Sequence, residues 1–212
     1  MITGKKILVL SPHTDDVEFA MGGTIARLIE EGSDVHIKAF SDCEDSIKEL
    51  GLPYGTLVRE CTKAMEVLQP STYSIRGFNV RRFAEIRHEL LQILVKGKKS
   101  YMPDVVFCPA STDVHQDHQV IHQEAVRAFR NSATILGYEV LRNHIGFSNR
   151  CYVALEWRHM NKKWQTLSCY ESQLKYRPEY FNQHTVESLA RVRGAEIGKE
   201  FAECFEPIKI QI

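Results

Sequence analysis

Histidine and aspartate side chains are concentrated in two short segments of this 212-residue chain. In the first segment His13, Asp15 and Asp16 lie within four positions, and in the second the residues 115–118 read His-Gln-Asp-His. One imidazole and one carboxylate turned towards a common point suit Zn²⁺ or another borderline divalent ion. A catalytic zinc site usually has three protein ligands and a water molecule, so the third ligand is expected from the second segment.

Each segment follows an apolar run that predicts a buried strand. Residues 7–10 end at Ser11-Pro12, and residues 105–108 end at Pro109. Open α/β sheets bind their ligands at the carboxyl ends of parallel strands. If the two strands are near each other, both segments open on the same edge of the sheet.

Alternating strand and helix patterns fill the first two thirds of the chain and predict an α/β fold. We expect a Rossmann-like, open, mostly parallel sheet with helices on both faces. The first strand is not followed by Gly-x-Gly-x-x-Gly, which weakens a dinucleotide-binding interpretation. The predicted strands cover residues 7–10, 35–40, 73–75, 105–108, 137–141, 151–155 and 208–212. The predicted helices cover residues 22–31, 57–68, 83–95, 117–129, 163–175 and 185–205.

The remaining organisation follows from length and local composition. At 212 residues the chain is expected to form a single domain, with its C-terminal third capping the active-site pocket. Gly194 and Gly198 fall inside the last predicted helix, where they indicate close packing or an adjacent ligand. The acidic segment 41–54 has two interpretations, a solvated loop with a short helical turn or a mobile rim beside the first histidine segment.

The overall charge argues against several classes of protein. Lys+Arg and Asp+Glu are equal at 27 each, which disfavours a nucleic-acid protein that binds through a basic face. No apolar run approaches the length of a membrane span, and the N-terminus leads directly into the first strand. The six cysteines are scattered without a Cys-x-x-Cys pair and are expected to be reduced thiols. We therefore expect a cytoplasmic protein.

The two histidine segments together resemble the signatures of a known family. Pro-His-Thr-Asp-Asp is similar to the Pro-His-x-Asp-Asp motif of the LmbE/PIG-L deacetylases, and the second segment is similar to their His-x-Asp-His motif. The form Asp-Asp-Val-Glu-x-x-x-Gly-Gly-Thr is closest to the bacterial branch that contains the bacillithiol-pathway N-acetylglucosaminyl deacetylases. Thr14 departs from the Pro or Ala of many relatives. Weaker matches are Arg59-Glu60, Ser172-Gln173 and parts of the tail 193–205.

The resemblance implies a role for each motif residue. It implies that the metal ligands are His13, Asp16 and His118. Asp15 then corresponds to the general base, and His115 to the histidine that stabilises the oxyanion or protonates the leaving amine. Asp117 corresponds to a carboxylate that contacts a ligand side chain and does not bind the metal itself.

Two further residues have a structural and a functional interpretation. Arg59 is either a surface arginine or, as the resemblance implies, a substrate contact whose loss raises KM. His184 precedes the last predicted helix and either enters the pocket or stays outside it.

The activity that the resemblance implies is removal of the acetyl group from an N-acetylated amino sugar, a small-molecule substrate, by a zinc-activated water. Fe²⁺, Mn²⁺ or Co²⁺ could occupy the same ligands. Two alternatives remain: a metal-dependent hydrolase of a phosphoester or of another amide or ester, and a non-enzymatic Rossmann-like binding module. Relatives form trimers or hexamers, so a homo-oligomer is also expected from the resemblance.

Overall fold

The computed structural model describes residues 4–211, in which seven strands form one mixed sheet. The strands are β1 (Lys6–Ser11), β2 (Asp34–Ala39), β3 (Thr72–Ile75), β4 (Val105–Pro109), β5 (Thr134–Tyr138), β6 (Cys151–Leu155) and β7 (Phe201–Lys209). Their spatial order is β3-β2-β1-β4-β5-β7-β6. The first five are parallel, and β7 runs antiparallel between β5 and β6. The predicted mostly parallel α/β sheet is confirmed.

Helices cover both faces of this sheet because successive strand residues point to opposite sides. In β1, Ile7 and Val9 belong to one apolar cluster, whereas Leu8 and Leu10 belong to the other. The helices are α1 (Asp16–Glu30), α2 (Glu44–Glu49), α3 (Thr56–Leu68), α4 (Arg87–Tyr101), α5 (Gln116–Phe129), α6 (Trp157–Leu167), α7 (Glu171–Tyr176) and α8 (Gln183–Ala195). Helices α4 and α5 cover the face of Leu8, and α1, α3, α6 and α8 cover the other face.

Strands β1 and β4 lie side by side at the point where the chain changes direction across the sheet. Ile7 pairs with Val105 and Val9 pairs with Phe107 in parallel register. From β1 the chain goes outward to β2 and β3, then returns to β4 and continues to β5 on the other side. Such a switch point leaves a crevice at the carboxyl ends of the two strands, so the two histidine segments open into the same crevice.

Helix α1 begins earlier than the pattern predicts, at Asp16 instead of residue 22. It is kinked at Met21, where φ is −140° and ψ is 24°. The buried carboxylate of Glu203 accepts hydrogen bonds from the backbone N–H groups of Gly23 and Thr24, at 3.1 and 2.6 Å, just after the kink. Lys163 neutralises that carboxylate at 2.6 Å.

The predicted helix 185–205 is wrong in its second half. Helix α8 ends at Ala195, and residues 201–209 form strand β7 instead. Gly198 adopts φ of +66° in the connection, a conformation that favours glycine. Gly194 is required by close packing, because a Cβ there would lie 2.7 Å from the backbone of Glu200.

Smaller corrections concern the boundaries of other elements. The predicted helix 163–175 is two helices, α6 and α7, which are separated at residues 168–170. The helix predicted at 83–95 is shifted to Arg87–Tyr101, and the strand predicted at 137–141 ends at Tyr138 and is followed by a 3₁₀ turn, Leu141–Asn143. The final strand ends at Lys209, and Ile212 lies outside the described residues.

No helix in the described residues is both long and apolar enough to cross a membrane.

Candidate active site

Three potential ligand atoms form a nearly equilateral triangle at the carboxyl ends of β1 and β4. Oδ2 of Asp16 lies 3.2 Å from Nδ1 of His13 and 3.2 Å from Nε2 of His118. The two imidazole nitrogens are 3.3 Å apart. Ligand atoms bound to a tetrahedral Zn²⁺ at about 2.0–2.1 Å are separated by about 3.3 Å. The side chains therefore already have the spacing of three corners of a tetrahedral site.

Charge in this triangle favours a cation. Burial acts to lower the pKa of His13, but Asp16 and Asp117 outweigh it and raise the value to about 9. The pKa of His118 is raised to about 10 in the same way, against burial, by Asp16 and Asp113. The surrounding carboxylates thus stabilise positive charge at the position where a metal ion would sit.

His115 lies next to the triangle and also belongs to a set that could hold a metal. The ligand nitrogens of His13, His115 and His118 lie within 4.8 Å of one another. The pKa of His115 is lowered to about 4 by burial and by the charges of His13 and His118. Its Nδ1 accepts a hydrogen bond from the backbone N–H of Asp117 at 3.2 Å, so the ring proton is on Nε2. His115 is therefore a neutral N–H donor. It would stabilise an oxyanion through a hydrogen bond and not through a positive charge.

Two aspartates bind the outer nitrogens of the triangle's histidines. Oδ2 of Asp117 lies 3.0 Å from Nε2 of His13, and it also accepts a hydrogen bond from the backbone N–H of Arg81 at 2.6 Å. Oδ2 of Asp113 lies 2.8 Å from Nδ1 of His118. Metal-binding histidines usually donate their other N–H to such a carboxylate, which fixes the tautomer and the ring orientation. Sequence reasoning missed Asp113, although an aspartate shortly before a histidine motif was a usable signal.

Asp15 faces the pocket beside the triangle. Its pKa is raised to about 6, mainly by burial and then by the negative charge of Asp16, while His13 and Arg177 act in the opposite direction. A carboxylate with a pKa near neutrality can accept a proton in one step and return it in the next. The structure thus places Asp15 in the same pocket as the triangle.

The pocket is a cavity of about 260 Å³ that is lined by residues from both the N-terminal and the C-terminal half of the chain. Ser46 from helix α2 and Leu50, which directly follows that helix, line one part, so the segment 41–54 is a rim of the pocket. The C-terminal third contributes a larger part of the wall and caps the pocket as predicted. Its lining residues are Val140, Arg142, Asn143, Gln173, Arg177, Tyr180 and Phe181.

Arg59 and His184 do not line this pocket. The Arg59 side chain is exposed and donates to the carbonyl oxygen of Tyr54 at 2.9 Å and to the hydroxyl of Thr56 at 3.1 Å. His184 is exposed near the start of α8. The structure gives Arg59 a local role, holding the loop before α3, and offers no contact that supports a substrate role for either residue.

Buried Glu18 and Tyr170 connect the first histidine segment to the C-terminal third of the chain. The hydroxyl of Tyr170 lies 2.5 Å from the carbonyl oxygen of Thr14 and 2.8 Å from Oε1 of Glu18. The single hydroxyl proton of Tyr170 is needed for the carbonyl, so the second contact needs a proton on Glu18. Burial raises the pKa of Glu18 to about 8, which agrees with a protonated acid.

Glu18→Gln should therefore keep the fold while removing a pH dependence of stability. The ordinary pKa of 4.5 rises to about 8 on folding, so this group's contribution is complete below pH 4.5 and is lost as the pH rises through about 8. The unfolding free energy of variant and wild type is measured by urea denaturation. As the pH rises through that window, the wild type should lose up to about 1.4 kcal/mol per pH unit relative to the variant. Exposed Glu179→Gln is the matched control. If the unfolding free energies of wild type and Glu18→Gln changed with pH in the same way, Glu18 would be ionised in the folded protein.

An open α/β sheet with histidines and carboxylates gathered at its switch point defines a protein with a candidate metal-dependent active site. The family model described as "PIG-L: GlcNAc-PI de-N-acetylase" matches residues 8–129, which include both histidine segments. This match covers more than half of the chain, and the chain belongs to the PIG-L (LmbE/PIG-L) deacetylase family.

Individual proteins agree with this assignment in length and fold. The "uncharacterized deacetylase YaiS" of Escherichia coli K12 is 25% identical over 174 residues, which are 79% of this chain and 91% of that protein. The N,N'-diacetylchitobiose deacetylase of Pyrococcus horikoshii superposes with a TM-score of 0.70 at 21% identity, covering 95% of this chain and 83% of its own. The 4-carboxy-2-hydroxymuconate hydratase GalB of Pseudomonas putida KT2440 superposes with a TM-score of 0.78 at 18% identity, covering 98% of each chain. At such identities the structural matches show the fold alone.

Proposed function

We propose that this protein is a metal-dependent hydrolase that removes the acetyl group from an N-acetylated amino sugar conjugate. The observation that carries the proposal is the triangle of Asp16, His13 and His118 with the carboxylate of Asp15 beside it in one pocket. Membership of a family described as a GlcNAc-PI de-N-acetylase supports the substrate class.

In this proposal the metal ligands are His13, Asp16 and His118, and His115 stays free for catalysis. The triangle's edges of 3.2–3.3 Å suit a tetrahedral ion, whereas Nδ1 of His115 already accepts a backbone hydrogen bond. Two imidazoles and a carboxylate favour Zn²⁺, and Fe²⁺, Mn²⁺ or Co²⁺ are compatible with the same donors.

The chemistry of amide hydrolysis can be assigned to the residues around that position. When bound, a divalent ion would lower the pKa of a water molecule and polarise the acetyl carbonyl. Asp15 takes the proton of the attacking water, for which its pKa of about 6 is suited. The Nε2–H of His115 donates to the oxygen on which negative charge develops. Asp15, now protonated, returns the proton to the nitrogen as the C–N bond breaks, and the amine leaves together with acetic acid, which ionises to acetate in water.

Acetate release from N-acetylglucosaminyl compounds by the metal-loaded protein tests the proposal. We expect about one metal ion per chain and turnover of acetamido sugars, with phosphoesters and other amides or esters as the comparison panel. Turnover confined to the phosphoesters or to the other amides and esters would favour the alternative hydrolase. Metal binding without turnover of any compound would contradict the hydrolase assignment, because the fold itself also hosts a hydratase.

Several predictions about the chain's context stay predictions. These are a single domain over residues 1–212, the bacillithiol-pathway branch, a cytoplasmic location, and a trimer or hexamer.

A further inference from the structure

The segment at the end of β1, which carries the first histidine motif, is held by hydrogen bonds to its backbone carbonyl oxygens. Each carbonyl of residues 11–15 accepts one such bond. Four of the donors belong to residues 11–41, namely the hydroxyl of Ser11 and the backbone N–H groups of Phe19, Phe40 and Ser41. The fifth carbonyl is that of Thr14, and it accepts from the C-terminal third of the chain, from the hydroxyl of Tyr170 at 2.5 Å.

The Thr14 carbonyl depends on this single contact. Thr14 is buried, with 1% of its surface exposed, and within residues 4–211 the Tyr170 hydroxyl is the one donor to its carbonyl oxygen. A buried carbonyl oxygen without a donor is unfavourable, because it has given up its hydrogen bonds to water. Without the hydroxyl, the peptide group would be free to rotate towards another donor.

The same peptide group sets the direction of Asp15. The Thr14 carbonyl and the Asp15 N–H form one planar unit, so a rotation of the carbonyl also changes φ of Asp15. Asp15 is the N-cap residue of α1, where an aspartate usually accepts a hydrogen bond from the first turn of the helix. Its carboxylate forms no such bond with that helix. The carboxylate is therefore left for the pocket, and its direction follows from the backbone conformation.

Packing and hydrogen bonding fix the Tyr170 side chain. It is fully buried, and its ring contacts Phe181 edge to face, with the ring centroids 6.2 Å apart. Phe181 in turn stacks on Phe19 of α1 at 5.4 Å. The hydroxyl oxygen of Tyr170 also lies 2.8 Å from Oε1 of Glu18. The hydroxyl thus has a fixed position relative to the first turns of α1.

We propose that Tyr170 is a positioning residue for the hydrolytic reaction: its hydroxyl fixes the Thr14–Asp15 peptide and so directs the Asp15 carboxylate towards the attacking water. This inference rests on the proposed function, in which Asp15 is the general base. It also gives the C-terminal third of the chain a part in the reaction, since that part of the chain supplies the donor to Thr14.

Tyr170→Phe removes the hydroxyl and keeps the ring. We expect kcat for acetate release to fall about 10- to 100-fold, because a small misplacement of a reacting group reduces the rate steeply. KM and the metal content per chain should stay near their wild-type values. Both are measured on one metal-loaded preparation, with the N-acetylglucosaminyl compound that the wild type turns over fastest.

A double-variant cycle distinguishes a positioning role from a merely structural one. Tyr170→Phe should lower kcat in the wild-type background and have little further effect on Asp15→Asn, which lacks the base that the hydroxyl directs. The residual rate of Asp15→Asn is measured at raised enzyme concentration. A general loosening of the structure would reduce the rate in both backgrounds by the same factor.

Tyr101→Phe is the matched control. Tyr101 also donates its hydroxyl to a backbone carbonyl at 2.5 Å, that of Asp34. This contact lies at the amino ends of β1 and β2, the edge of the sheet opposite to the pocket. Tyr101→Phe should keep the wild-type kcat, and urea denaturation checks that both variants are folded.

Equal kcat in Tyr170→Phe and Tyr101→Phe, or the same fractional loss in the wild-type and Asp15→Asn backgrounds, would overturn the inference while leaving deacetylation established. Loss of metal from folded Tyr170→Phe would also overturn it, because the hydroxyl would then support the metal ligands and not Asp15. If the metal-loaded wild type released no acetate from any acetamido sugar, the proposed function would fail, and the inference with it.

Discussion

Asp15→Asn should lower kcat for acetate release by about 10²- to 10⁴-fold while metal content per chain stays at the wild-type level. The substitution keeps the size of the side chain and removes the group that accepts the water's proton. Asp15 is outside the triangle of closest ligand atoms, so its loss should not release the ion. Steady-state acetate release and metal analysis of the same preparation measure both effects.

The outcome distinguishes the role of Asp15 from that of its neighbour Asp16. Asp45→Asn in helix α2 changes the charge equally at a position that does not line the pocket, and it should retain wild-type activity. Loss of metal in Asp15→Asn would mean that the roles of Asp15 and Asp16 are reversed. Wild-type kcat with metal retained would remove Asp15 from the mechanism.

The main features of the site could be predicted because they depend on short stretches of sequence. The apolar runs 7–10 and 105–108 each predicted a buried strand, and His13 and His118 follow those strands closely. A parallel sheet then places both segments at one edge. The position of Asp113 shortly before the second histidine motif was a signal, but its contact with His118 depends on how the loop after β4 folds back, so the strand pattern alone did not assign it a role.

The error at the C-terminus has a different origin. Phe201 and Phe205 are four residues apart, a spacing that lies on one face of a helix and also on one face of a strand. The sequence pattern therefore fitted both structures. Residues 201–209 form a strand because β7 pairs with both β5 and β6 and so completes the sheet between them. This pairing depends on distant parts of the chain, which a local sequence pattern does not describe.

The Arg59-Glu60 match shows how differently two adjacent residues can be placed in the structure. Arg59-Glu60 drew attention to the arginine, whose charge suggested a substrate contact. In the structure Arg59 is exposed and holds its own loop, whereas Glu60 is buried and supports Ser172 and, through Gln173, Arg177. Burial, which depends on the packing of α3 against α7, decides between them, and a motif alone does not contain that information.

Asp16→Ala should release the metal and abolish activity, whereas His115→Ala should retain the metal and lose about 10²-fold or more in kcat. Asp16 contributes the oxygen that lies 3.2 Å from both imidazole nitrogens of the triangle. His115 uses Nδ1 to accept the backbone N–H of Asp117 and keeps Nε2–H as a donor, so binding a metal through either nitrogen would cost it that hydrogen bond or that proton.

These two variants are informative together because two ligand sets are sterically available, Asp16 with His13 and His118, or the three histidines within 4.8 Å. Metal content measured after dialysis against a weak chelator distinguishes them. His122→Ala is the matched control for His115, since His122 lies about two turns further along α5 and binds the carbonyl oxygen of Pro109 at 2.8 Å. Retention of metal in Asp16→Ala together with its loss in His115→Ala would establish the three-histidine set, and His115 would then be a ligand instead of the donor to the oxyanion.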